Sequence, residues 1–136
     1  MLKELINYLE DKNIDILGFG REGKTMYKFL RKYFPNKKIT ISDKNNFLEN
    51  NEYLKEDNNL VYVIGEKYLE NLEEFDLVIK SPGVSLKDVD KINILDKITS
   101  QYELFLEFFD EILTIGVTGT KGKSTTTSLI YEILKE

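Results

Sequence analysis

Short apolar runs alternate along the chain with longer stretches in which apolar residues recur at helical spacing, so strands and helices are predicted in turn. Ile14 to Leu17, Lys38 to Ser42, Leu60 to Ile64 and Leu77 to Lys80 read as strands, with Lys97 to Thr99 a short fifth. Met1 to Lys12 carries Leu2, Leu5, Ile6 and Leu9 on one side, as an amphipathic helix does. Lys24 to Phe34 turns Met26, Tyr27, Leu30, Tyr33 and Phe34 inward, and Pro35-Asn36 stops it. Tyr68 to Leu72 and Asp88 to Leu95 predict shorter helices, and Tyr102 to Phe109 a further one carrying Leu104, Phe105, Phe108 and Phe109. The stretch from Asn45 to Asn59 is rich in Asn, Glu and Lys and reads as a polar connection outside the core. Such alternation predicts an α/β fold: a Rossmann-like parallel sheet with helices on both faces.

Beyond Phe109-Asp110-Glu111 the apolar run Ile112 to Val117 predicts one more strand, followed by a loop and a helix with Leu129, Ile130, Ile133 and Leu134 on one face. The chain therefore divides into a sheet domain over 1–109 and the opening of a second unit over 110–136. A lone strand and helix do not bury enough apolar surface to offset the entropy of ordering them. The tail is accordingly expected to dock on its own domain or on a second copy, as a swapped dimer.

Hydrophobic residues make up 41% of the 136, enough for a core in one ordinary domain. The net charge of -5, from 19 basic and 24 acidic residues, argues against a nucleic-acid or anionic-membrane surface, since both need a cationic face. No stretch resembles a signal peptide or a membrane span. With no cysteine there is no disulfide or thiolate metal site, which fits a reducing cytoplasm. Without histidine, Ser-His and Cys-His catalysis are excluded.

Candidate chemistry lies at two glycine-rich turns. Gly18-Phe19-Gly20-Arg21-Glu22-Gly23 fits GxGxxG between the first strand and the first long helix, and Asp43 ends the second strand, where a Rossmann unit keeps an acceptor for ribose hydroxyls. Ser81-Pro82-Gly83 ends the fourth strand and so shares that edge, at the carboxyl ends of the strands where open α/β sheets bind ligands. These features alone also suit a non-catalytic NAD-binding regulatory domain. The second turn is Thr118-Gly119-Thr120-Lys121-Gly122-Lys123-Ser124-Thr125, a phosphate-binding loop. Its glycines let backbone N–H groups curl around phosphate oxygens, Lys123 reaches the outer phosphates, and the Ser124 hydroxyl takes Mg²⁺. The strict Walker spacing fails, because Val117 stands where the first glycine belongs.

Together GxGREG, the Asp after the second strand, Ser-Pro-Gly-Val, Tyr-Glu-Leu-Phe and Val-Thr-Gly-Thr-Lys-Gly-Lys-Ser-Thr resemble the Mur ligases, and within them the D-glutamate-adding branch. The resemblance runs from about Ile14 onward and covers a UDP-binding domain and the start of a central ATPase domain. It implies that Gly18 and Gly20 belong to a UDP site in which Arg21, Glu22 and Gly23 line the diphosphate, Asp43 and Lys44 hold the uridine, and Ser81, Pro82 and Gly83 close the pocket. Gly119, Thr120, Lys121, Gly122, Lys123, Ser124 and Thr125 would hold ATP, with Lys123 catalytic and Ser124 on Mg²⁺. The implied reaction joins D-glutamate to UDP-N-acetylmuramoyl-L-alanine through an acyl phosphate, in a cytoplasmic, monomeric full-length enzyme of peptidoglycan synthesis. The sister ligase that adds L-alanine to UDP-N-acetylmuramate is the nearest rival, and its first glycine turn differs. Since the family's other metal ligands, its histidine and its modified lysine lie outside this sequence, the 136 residues alone are expected to be inactive, with weak UDP-sugar and scant ATP binding.

Overall fold

The computed structural model describes residues 1–87, 89, 94–109 and 111–135. Five parallel strands form one sheet: β1 (Ile14–Leu17), β2 (Ile39–Asp43), β3 (Leu60–Ile64), β4 (Leu77–Lys80) and β5 (Ile98–Thr99), in the order β3-β2-β1-β4-β5. The order reverses direction at β1, leaving a crevice between the ends of β1 and β4.

All four residues of β1 are buried, as a central strand covered on both faces requires. Ile14 and Ile16 face a first core with Ile39, Ile41, Leu77 and Ile79, and three helices close it. Helix α1 (Leu2–Glu10) contributes Leu5 and Leu9, α2 (Arg21–Tyr33) contributes Met26, Tyr27 and Leu30, and α3 (Gln101–Phe108) contributes Leu104. On the opposite face Leu17 and Val78 pack with Leu72 and Ile94, flanked by Tyr68, Leu69, Phe75 and Val84. The expected helix over 88–95 falls largely outside the described residues, and its last position, Leu95, opens the 3₁₀ turn Leu95–Lys97.

Two sequence expectations change within this domain. The polar connection after β2 is not outside the core: it folds into consecutive 3₁₀ turns, Phe47–Asn50 and Glu52–Glu56, which bury Phe47 and Leu54. Its few apolar residues come as two isolated pairs, Phe47-Leu48 and Tyr53-Leu54, so no period betrays them. The Phe47 ring lies 4.9 Å from that of Phe19, tilted by 44°, and the Tyr62 hydroxyl donates to the Leu54 carbonyl at 2.6 Å. Tyr68 to Leu72 is not a helix either. Residues 66–71 make turns and the 3₁₀ turn Leu72–Glu74 follows, because Asn71 adopts the left-handed conformation at φ 60° and breaks any helical run.

The tail departs most. Helix α4 (Lys123–Leu134) forms as expected, but Ile112 to Val117 is not a strand. A strand exists only through a partner ladder, and this run pairs with none of the five. Leu113 is 88% exposed and Ile133 72%, so these tail side chains are not buried against the sheet domain.

Candidate functional site

The carboxyl ends of β1, β2 and β4 meet around a cleft of about 490 Å³ lined by Gly18, Gly20, Arg21, Glu22, Asp43, Lys44, Ser81, Pro82 and Gly83, together with Asn45, Tyr68 and Val84. Of the residues assigned to a UDP site from sequence, only Gly23 lies off the lining, and it shapes the cleft from behind. A Cβ on Gly23 would stand 2.2 Å from the Gly18 carbonyl oxygen, so its glycine lets α2 pack directly on the turn. Gly18 has φ +92°, and a Cβ there would also strike Val84 and Ser81.

Gly20 caps α2 without any side-chain hydrogen bond to the first turn, and nothing lies within 4 Å of where its Cβ would be. The start of α2 thus borders the cleft with no side chain capping it and the positive end of the helix dipole behind it, an arrangement that suits an anion.

Around this cradle the rim is tied together by hydrogen bonds that also redefine two expected ligands. The Asp43 carboxylate accepts from Phe19 N–H at 2.6 Å through Oδ2 and from Asn45 N–H at 2.8 Å through Oδ1. Asp43 therefore fixes the glycine turn first, and its remaining lone pairs stay available to a hydroxyl donor. The Ser81 hydroxyl donates to the Gly18 carbonyl at 2.9 Å, while Ser81 N–H donates to Leu17 and Gly18 N–H to Ser42. With its proton engaged, Ser81 is left as an acceptor. Lys80 donates through Nζ to the carbonyls of Ser81 and Val84, both at 3.0 Å, and so organises the turn after β4.

Asn45, Tyr68 and Val84 were missed by sequence reasoning. The sequence does carry a signal for Tyr68: Gly65 follows β3 as Gly18 follows β1, so the turn it starts lies at the same carboxyl edge.

The second glycine-rich loop sits at the start of α4, outside the sheet. Gly122 is the N-cap at φ +79° and Gly119 has φ +146°, both left-handed conformations that favour glycine, and no side chain caps the helix. Gly119, Thr120, Lys121 and Gly122 form the loop, with Lys123, Ser124 and Thr125 in the first helical turn, all exposed. Lys123 folds back across the loop, its ammonium donating to the Gly119 carbonyl. The donor set fits a phosphate: free helix N–H groups, an ammonium that can swing outward, and the Ser124 hydroxyl as a candidate Mg²⁺ ligand.

Residues 12–101 match the family described as Mur ligase MurD-like, N-terminal domain. A UDP-N-acetylmuramoylalanine--D-glutamate ligase of Clostridium kluyveri is 34% identical over 134 residues, 95% of this chain and 29% of that protein. Proteins of the same name from Clostridium acetobutylicum and from Clostridium botulinum strain Okra are 32% and 31% identical, each over 98% of this chain and 29% of the relative. The chain thus spans 29% of the length of these curated relatives. A match over most of the sheet domain, with a glycine cradle at the topological switch point, establishes that the chain belongs to the Mur ligase family through a MurD-like N-terminal domain.

Proposed function

We propose that the sheet domain is the UDP-binding part of an ATP-dependent, amide-bond-forming ligase of peptidoglycan precursor synthesis, which adds D-glutamate to UDP-N-acetylmuramoyl-L-alanine in the cytoplasm. The observation that carries this reading is the convergence of an uncapped α2 N-terminus, Asp43 and the Ser81-Pro82-Gly83 turn on one cleft. Its size suits a nucleotide, and its anion cradle suits a diphosphate. In this reading Gly18, Gly20, Arg21, Glu22 and Gly23 surround the diphosphate, and Asp43 with Lys44 receives the uridine. Among the described residues no helix is long and apolar enough to cross a membrane.

Residues 110–136 open the ATP-binding unit. ATP with Mg²⁺ supplies the activating phosphoryl group. Gly119, Thr120, Lys121, Gly122 and Thr125 would cradle its phosphates, Lys123 would neutralise the transferring charge, and Ser124 would hold the metal. That the relatives bear the name of the D-glutamate-adding enzyme supports this choice of amino acid over L-alanine.

Calorimetric titration of the chain with UDP-N-acetylmuramoyl-L-alanine and, separately, with NADH tests the reading. The sugar nucleotide is expected to bind and to raise the melting temperature by mass action, whereas NADH leaves it unchanged. A melting temperature raised by NADH alone would replace the ligase reading with that of a dinucleotide-binding regulatory domain.

A further inference from the structure

We propose that Tyr68 is the base-stacking platform of the cleft, an inference that rests on reading the cleft as a nucleotide site. Tyr68 is the only aromatic side chain lining the cleft among the described residues. It comes from the turn after β3, and that turn is fastened to the end of β2. Gly65 adopts φ +94° and its N–H donates to the Asp43 carbonyl at 3.1 Å, while Tyr68 N–H closes the turn on the Gly65 carbonyl at 3.1 Å. Asp43, which braces the glycine turn through its carboxylate, thus also braces Tyr68 through its backbone.

The ring is half-buried. It packs against the second core with Leu69 and Val84 and still lines the cleft, so it is held in place with surface to spare. A tyrosine has two side-chain torsions, and packing settles them before a ligand arrives, which makes a flat platform at low entropic cost. Its location fits the other end of a nucleotide from the phosphates. The anion cradle follows β1 and the Tyr68 turn follows β3, two strand spacings away, about 10 Å, with Asp43 and Asn45 between. A ribose spans the gap between a phosphate at the first place and a base at the second. Stacking tolerates any base, so Tyr68 supplies affinity while choice among bases falls to the polar groups of Asp43, Lys44 and Asn45.

The test compares UDP with inorganic pyrophosphate, which lacks the base, on the 136-residue chain. Tyr68→Leu keeps apolar volume against Val84 but removes the π face, and is expected to weaken UDP roughly 5- to 150-fold with pyrophosphate unchanged. Tyr68→Phe is expected to bind both as the wild type does. Tyr68→Trp introduces the sole tryptophan of the chain, whose fluorescence should be quenched by UDP and not by pyrophosphate. Unchanged UDP binding by the leucine variant, or equal quenching by both ligands, overturns the stacking role and leaves the diphosphate cradle standing. If the wild type binds neither ligand, the nucleotide reading of the cleft falls and the stacking role with it.

Discussion

Asp15 is a carboxylic acid set in the middle strand of the sheet, fully buried, with Oδ1 accepting from the Ser42 hydroxyl at 2.7 Å and Oδ2 without a partner. Burial pushes its pKa up to about 7 from 3.8, the Ser42 hydrogen bond pulling the other way. The folded protein therefore keeps this proton up to about pH 7, whereas the unfolded chain releases it near 3.8. Raising the pH through that window favours unfolding, by about 4 kcal/mol in all at 1.36 kcal/mol per unit, and the loss levels off above it. Asp15→Asn retains an acceptor for Ser42 and cannot ionise. Urea midpoints should show wild type and variant close at about pH 4 and the variant increasingly more stable as pH rises to about 8. A constant difference across that range would mean that Asp15 is not the titrating group.

At the scale of elements the joint between β1 and α2 decides the site, and its glycines separate into two kinds. Gly23→Ala would drive a methyl into the Gly18 carbonyl, a backbone atom that cannot yield, and should cost about 3 kcal/mol or more. Gly20→Ala meets nothing within 4 Å, so its stability should stay within about 1 kcal/mol of wild type while UDP affinity drops, because the methyl enters the cleft. Thermal melting and titration of the two variants read these outcomes independently. Both glycines were visible in the sequence, but their difference was not, since it depends on which neighbour crosses overhead. The same limit governs the other elements. Strands β1, β3 and β4 were legible to the residue, each a short, mostly apolar run bounded by turn residues. Phe47 and Leu54 were illegible, because the apolar pairs Phe47-Leu48 and Tyr53-Leu54 stand in a polar stretch and their burial is settled by rings arriving from Phe19 and Tyr62. Ile112 to Val117 failed in the opposite sense: its pattern is that of a strand, but pattern supplies no partner.

The whole molecule joins a sheet with two covered faces to a tail whose apolar residues stand in water. Brief digestion with a non-specific protease should cut within 111–122 and leave the sheet domain intact, as mass spectrometry of the products would reveal; resistance of that segment would show that it is covered in solution. Ile14 pairs with Ile39 on one side and Leu77 on the other, so the middle strand waits for a neighbour encoded far downstream. During synthesis β1, β2 and β3 can assemble early, yet β1 remains an open border until β4 leaves the ribosome, and only then does Ser81 reach Gly18. The nascent chain thus completes its cleft in the same step that covers the open side of β1, with β5 still to be added at the far edge, and no earlier intermediate owns a finished pocket.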